Sequence, residues 1–180
     1  MPFIILDRDG VINYDSDDYI KSPAEWRPIP GSLEAIAHLN RAGFRVLIAT
    51  NQSGVARGFY DLETLSAIHE KLLQQLTAVG GYVEEIFYCP HHPTDGCVCR
   101  KPQPGLIEQM QKKYAIHLAS TYLIGDSITD VQVAKQTGCQ PILVLSGKGE
   151  RMLKQHPELA TTLCFDNLAS AAEYIVKQQG

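Results

Sequence analysis

Two carboxylates stand two residues apart in Leu6-Asp7-Arg8-Asp9-Gly10-Val11, directly after the apolar run Phe3-Ile4-Ile5-Leu6. Residues at i and i+2 of a strand share a face, so this spacing turns Asp7 and Asp9 toward one place at the end of a buried strand. Two carboxylates held close repel unless a cation or a shared proton separates them. The pair therefore suits one group as a nucleophile and the other as a proton donor and acceptor, with a hard divalent cation between them. Asp and Gly also favour plain turns, so the pair needs further residues before it counts as a site.

Three other segments supply them. Thr50-Asn51-Gln52-Ser53-Gly54 follows the apolar stretch Phe44–Ala49, and Gly125-Asp126-Ser127 closes the stretch Tyr122–Gly125. The third is Cys89-Pro90-His91-His92-Pro93 with Cys97-Val98-Cys99. Cys89, His91, Cys97 and Cys99 form a set that suits a closed tetrahedral Zn²⁺ site, with His92 as the competing imidazole. Such a site is structural and folds a polar loop that has no core of its own. A disulfide, disfavoured in a reducing compartment, and free thiols are the alternatives. Arg100 and Lys101 come next, two cations whose backbone such a knot would fix. Cys139 and Cys164 lie in apolar surroundings and read as core.

The elements that must position these residues alternate. Strands are predicted at Phe3–Leu6, Phe44–Ala49, Val83–Cys89, Tyr122–Gly125 and Pro141–Leu145, with a short edge strand at Thr162–Phe165. Leu33, Ile36, Ala37 and Leu39 recur at helical spacing between Pro30-Gly31-Ser32 and Gly43. Asp61 N-caps a long helix carrying Leu62, Leu65, Ile68, Leu72, Leu73 and Leu76, and further helices begin at Pro104 and Leu168. Alternation of this kind implies a mostly parallel sheet with helices on both faces. Ligands of open parallel sheets bind outside the carboxyl ends of the strands, so Asp7 and Asp9, Thr50–Gly54 and Gly125–Ser127 should meet in one crevice.

Composition sets the bounds. The 180 residues are 44% apolar and 20% charged, which fits a single globular domain, 1–180. A net charge of −4 with no basic stripe argues against a nucleic-acid partner. No apolar run is long enough to span a membrane, and the N-terminus lacks the pattern of a signal peptide, so a cytoplasmic monomer is expected.

Taken in order, Asp7-Arg8-Asp9-Gly10, Thr50, Lys101 and Gly125-Asp126-Ser127-Ile128-Thr129-Asp130 resemble the four motifs of the haloacid dehalogenase-like phosphatase superfamily. The resemblance implies a three-layer Rossmann-like α/β fold and a Mg²⁺-dependent phosphatase. In that pattern Asp7 attacks phosphorus and becomes an aspartyl phosphate. Asp9 protonates the leaving oxygen and then activates water. Thr50 and Lys101 hold phosphoryl oxygens, and Mg²⁺ sits between Asp7, the Asp9 backbone carbonyl and Asp126. Asp130 is expected to order the metal loop or cap the helix that follows it.

Thr50-Asn51-Gln52-Ser53-Gly54-Val55-Ala56-Arg57-Gly58 with the Cys/His cluster and Arg100-Lys101-Pro102 resembles one branch of that superfamily, which contains heptose bisphosphate and histidinol-phosphate phosphatases, and is nearer the former. This implies removal of the 7-phosphate of a D-glycero-D-manno-heptose 1,7-bisphosphate, a step toward nucleotide-activated heptose for bacterial surface polysaccharide. It also implies substrate contacts from Asp15, Ser16, Asp17, Asp18 and Tyr19, from Asn51, Gln52 and Ser53, and from Arg100 and Lys101. Arg57 reads as a distal phosphate or sugar contact, or as the partner of an acidic neighbour. The rival readings are a histidinol-phosphate phosphatase, another sugar phosphatase, or a zinc-stabilised module that binds phosphate without catalysis.

Two features depart from the pattern: the segment between His91 and Cys97 is short, and Ser127 stands where some relatives carry a basic residue. No segment between the motifs is long enough for a separate cap domain. Loops Asp15–Trp26 and Ser53–Tyr60 and the zinc loop should therefore cover the site. Trp26 reads as packing.

Overall fold

The computed structural model describes residues 1–179. Six parallel strands form one sheet in the order β3-β2-β1-β4-β5-β6. They are β1 (Phe3–Leu6), β2 (Arg45–Asn51), β3 (Glu85–Cys89), β4 (Tyr122–Gly125), β5 (Gln140–Val144) and β6 (Leu163–Phe165). The helices between them are α1 (Ser32–Arg41), α2 (Leu62–Ala78), α3 (Gly105–Tyr114), α4 (Ile128–Thr137), α5 (Gly149–Gln155) and α6 (Leu168–Lys177).

Both faces of the sheet are covered, which is why its central strands read as unbroken apolar runs. Ile4 and Leu6 of β1, Val46 and Ile48 of β2 and Ile142 and Val144 of β5 pack with Ile36, Ile68, Leu72 and Ile175 from α1, α2 and α6. The alternate residues Phe3, Ile5, Leu47, Ala49 and Leu123 pack with Leu106, Ile107, Met110 and Val133 from α3 and α4. Trp26 is fully buried in the first of these cores, as its packing reading predicts.

Local signals set the helix ends. The Asp61 carboxylate accepts the Thr64 backbone N–H at 2.7 Å, the side-chain cap that starts α2. At the other end of α1, Gly43 takes φ +90°, a conformation open to glycine, and turns the chain into β2.

Several boundaries differ from the sequence reading, those of β5 and β6 by a single residue. β2 runs past Ala49 through Thr50 and Asn51, which pair with Tyr88 and Cys89 of β3; polar side chains do not stop a strand whose backbone still has a partner. β3 begins at Glu85 rather than Val83. The periodicity does not reveal α5, because seven residues are too few to show a helical repeat. Among the described residues no helix is long and apolar enough to cross a membrane, and no cap domain interrupts the alternation.

Candidate active site

β1 lies between β2 and β4, where the strand order reverses direction, and the carboxyl ends of these strands open a crevice at that switch point. A cavity of about 270 Å³ fills it. Asp7, Asp9, Asn51, Gln52, Ser53, Asp126 and Asp130 line it from the strand ends, Arg100 and Lys101 from beyond the cysteine cluster, and Asp15, Ser16, Asp17 and Tyr19 from the loop after β1. The polar segments of three strands thus meet, as the parallel-sheet argument predicts. The strand itself ends at Leu6, so it is the loop after β1, not the pleat, that turns Asp7 and Asp9 inward.

Asp7 continues β1 by one backbone bond, its N–H donating to Ile124 O at 2.9 Å. Its Oδ1 accepts the Arg8 N–H at 2.8 Å and lies 3.0 Å from Lys101 Nζ, which leaves Oδ2 as the oxygen open to the cavity chemistry. Burial, set against Lys101 and reinforced by Asp130 and Asp9, pushes the Asp7 carboxyl up to about 7. Asp126 is pushed up to about 8 by burial and by Asp7 and Asp130, although its Oδ2 accepts the Lys148 N–H at 2.8 Å. Carboxylate oxygens of Asp7, Asp126 and Asp130 all lie within 4.8 Å of one another. Buried like charges this close are the signature of a cation site, and hard oxygen donors fit a hard divalent cation.

Asp130 is committed elsewhere. Its Oδ1 lies 2.7 Å from Lys101 Nζ, and its Oδ2 accepts from the Ser127 N–H and hydroxyl, closing a capping box on α4. Ser127 is therefore a helix cap. Lys101 also donates to Ala49 O at 2.6 Å. Burial alone would depress this ammonium, but Asp130 and Asp7 outweigh it and hold it charged, above its ordinary range. Gly10 makes room for the arrangement: it takes φ +83°, and a Cβ there would collide with Asp126 Oδ2.

Asp9 differs from its partner. Its Oδ1 accepts from Arg8 Nε and Nη2 and from Asn13 Nδ2, and its Oδ2 accepts from Gln52 Nε2 at 2.8 Å. Burial would raise this carboxyl, but Arg8, Asn13 and Gln52 overcome it and hold its pKa below the usual value. Two carboxyls with pKa values driven apart suit two different roles.

The cysteine cluster follows β3. Cys89 Sγ lies 3.0 Å from Cys99 Sγ and 3.6 Å from Cys97 Sγ, and His91 Nδ1 lies 3.1 Å from Cys99 Sγ. These separations are longer than a disulfide bond, and all four donor atoms lie within 4.8 Å of one another, close enough to share one ion. Thiols so packed split their acidities: Cys97 falls to about 7 under backbone N–H groups that outweigh its burial, while burial and the neighbouring thiols push Cys99 up to about 12. The donor set fits Zn²⁺. His92 turns away, its Nδ1 2.8 Å from Thr94 Oγ1.

The remaining predicted site residues fall in several places. Thr50 is fully buried outside the cavity lining, its Oγ1 accepting from Gln52 Nε2. Asn51 clasps the Lys101 backbone from both sides, Nδ2 to Lys101 O and Oδ1 from Lys101 N. Asp18 and Arg57 are exposed and do not line the cavity; the Arg57 guanidinium sits over the Tyr19 ring instead. Arg100 lines the cavity, and its buried Nη1 has no hydrogen-bond partner among the described residues.

Lys148 is a residue that sequence reasoning missed. It lines the cavity, caps Asp126 through its N–H and pairs with Asp15 at 3.1 Å. Leu145-Ser146-Gly147-Lys148-Gly149 is one more polar strand end, after β5, and the rule that grouped the other three would have found it.

This fold and this site define a haloacid dehalogenase-like hydrolase. The HAD-hydrolase-like family model matches residues 98–171. A D-glycero-beta-D-manno-heptose-1,7-bisphosphate 7-phosphatase of Pseudomonas aeruginosa is 53% identical over 175 residues, 97% of each chain. The crystal structure of D,D-heptose 1,7-bisphosphate phosphatase from Bordetella bronchiseptica, complexed with magnesium and phosphate, superposes with a TM-score of 0.96 at 49% identity over 99% of both chains. That of the enzyme from Burkholderia thailandensis gives 0.78 at 38% identity, over 98% of this chain and 99% of that one. The chain belongs to the family of D-glycero-beta-D-manno-heptose-1,7-bisphosphate 7-phosphatases.

Proposed function

We propose that this chain is a Mg²⁺-dependent phosphatase that removes the 7-phosphate of D-glycero-beta-D-manno-heptose 1,7-bisphosphate, a step toward nucleotide-activated heptose for bacterial surface polysaccharide. One observation carries the reading: more than half of the residues match heptose bisphosphate 7-phosphatases over nearly the whole chain. The carboxylate–lysine site supports the chemistry. Asp7 attacks phosphorus, the bond to the sugar oxygen breaks, and Asp9 gives that oxygen its proton. Asp9 then takes a proton from water, whose oxygen attacks phosphorus and releases Asp7 and inorganic phosphate. Lys101, held charged by two carboxylates, steadies the phosphoryl oxygens, and Thr50, buried behind the cavity lining, acts there through Gln52.

Asp7, Asp126 and the Asp9 backbone carbonyl would hold Mg²⁺, which when bound offsets the repulsion between a carboxylate and a phosphate anion. Cys89, His91, Cys97 and Cys99 would hold Zn²⁺, fixing the loop that presents Arg100 and Lys101. We assign sugar and second-phosphate contacts to Asp15, Ser16, Asp17, Tyr19, Asn51, Gln52, Ser53 and Arg100, with the orphaned Arg100 Nη1 as the donor best suited to an anion. Residues 1–180 act as one domain without a nucleic-acid partner, a reading that the single sheet with both faces covered and the net charge of −4 support, and work as a cytoplasmic monomer on a small phosphorylated sugar.

Phosphate release from both anomers of the heptose bisphosphate, histidinol phosphate and other sugar phosphates, with Mg²⁺ supplied, tests the reading. The expected kcat/KM for the beta anomer exceeds that for histidinol phosphate by about a hundredfold, or about 2.7 kcal/mol of transition-state binding. Equal or better turnover of histidinol phosphate would overturn it, and so would full activity in Asp7→Asn.

A further inference from the structure

Asp9 is held by groups that are themselves held. The guanidinium of Arg8 is fully buried and grips Asp9 Oδ1 through Nε and Nη2, at 3.2 and 2.8 Å. Its remaining arm, Nη1, lies 3.0 Å from His69 Nε2, on α2. Arginine only donates, so His69 Nε2 is the acceptor, and the ring is neutral with its proton on Nδ1. On the other side, Gln52 Nε2 donates to Asp9 Oδ2, while Gln52 Oε1 accepts from the Tyr60 hydroxyl at 2.5 Å. Tyr60 and His69 are nearly buried, at 7% and 8% exposure, and neither lines the active-site cavity. An amide and a guanidinium anchored at their far ends cannot swing, so the plane of the Asp9 carboxylate is fixed.

The two oxygens of Asp9 are then unequal. Oδ1 faces three donors, counting Asn13 Nδ2 with the two from Arg8, and protonating it would set an O–H against them. Oδ2 faces one donor and keeps a lone pair for the proton in transit. We propose that Tyr60 and His69 are positioning residues for proton transfer in this enzyme, acting on Asp9 through Gln52 and Arg8, and that the proton travels on Oδ2. This rests on the role proposed above for Asp9, and it extends the site to a second layer that no substrate touches.

A leaving-group comparison tests it. A sugar alkoxide must be protonated as it departs, whereas p-nitrophenolate leaves without a proton. A defect confined to proton donation therefore lowers kcat/KM for the heptose bisphosphate and spares p-nitrophenyl phosphate. Tyr60→Phe, which removes one oxygen, should lose about tenfold on the bisphosphate and under about threefold on the aryl phosphate, part of the range that general acid catalysis spans. His69→Leu should lose about thirtyfold with the same selectivity, and His69→Gln, whose Oε1 can accept from Arg8, should recover to within about threefold of the parent. Thermal melts report folding for each variant.

Equal losses on both substrates, or no loss on either, would overturn the proposal. Asp9→Asn is the benchmark: should it show no leaving-group selectivity, Asp9 is not the donor and the positioning role falls with it. Should the parent enzyme prefer a different sugar phosphate, the substrate reading alone fails, and the same comparison on that alkyl phosphate still decides the positioning role.

Discussion

Replacing Asp126 by Asn should stabilise the Mg²⁺-free protein in alkaline solution while abolishing phosphate release. Burial and the charges of Asp7 and Asp130 raise the Asp126 carboxyl from 3.8 to about 8. A tenfold change in proton affinity corresponds to about 1.4 kcal/mol, so this rise sets an upper bound of about 6 kcal/mol on the cost of the charge. Three carboxylates share the site and its strain, which brings the part relieved at Asp126 to about 3 kcal/mol. The folded pKa lies above the unfolded one, so the folded state binds the extra proton. The penalty is therefore nearly absent at about pH 4, grows as the pH rises, and is complete above about pH 8. Asn keeps an oxygen for the Lys148 N–H and removes the charge. Melting both proteins in Mg²⁺-free buffer, without a chelator so that zinc stays, should give the variant a Tm about 6–12 °C higher at about pH 8.5 and about 2 °C higher at about pH 5. Added Mg²⁺ should raise the Tm of the parent and leave the variant where it was. A variant less stable than the parent in alkaline buffer, or a gap that ignores pH, would refute the electrostatic reasoning.

Other perturbations have equally definite outcomes. Lys101→Met strands Asp7 and Asp130 without their shared cation and should cost about 3–5 kcal/mol in urea denaturation; an unchanged midpoint would contradict the buried ion pairs. Gly10→Ala places a methyl group against Asp126 and imposes a left-handed backbone on a residue that resists it, so phosphate release should fall more than about a hundredfold, with a lower Tm. The parent should carry one equivalent of zinc by elemental analysis, and Cys97→Ser should lose it and speed amide exchange across residues 90–101, while β1 and β4 exchange as before. In kinetics KM should rise more than kcat falls, because the knot presents cations to the substrate.

Much of the site was legible because its residues sit at strand ends, where parallel-sheet topology brings distant segments together. Asp7, Asp9 and Asp126 needed no side-chain detail to be grouped, and the Cys/His spacing announced its own cluster. What stayed hidden depends on tertiary packing. His69 looks like one more position on the inner side of α2, and nothing in its neighbours says that Arg8 lies beneath it. Asn51 and Gln52 line the cavity as their substrate-contact reading requires, but their amides also hold Lys101, Asp9 and Tyr60, a second use that residue type does not announce. Arg57 faces the ring of Tyr19 because the turn after β2 folds it outward, a direction that residue type cannot give. Lys148 was missed for another reason: Pro141–Leu145 reads as a strand, but the Ser146-Gly147-Lys148 segment at its end carries no carboxylate or cysteine to draw it into the group.

The clasp between Asn51 and Lys101 bears on how such a chain tolerates change. Lys101 is anchored to the last residue of β2 by two hydrogen bonds, and its ammonium to Asp7, Asp130 and Ala49 O. None of these tethers passes through the exposed stretch at 93–96, which the knot closes on either side. The register of the phosphate-binding cation is thus uncoupled from the length of the segment that leads to it. That stretch is a place where residues can be inserted, deleted or grafted with the reaction centre left undisturbed.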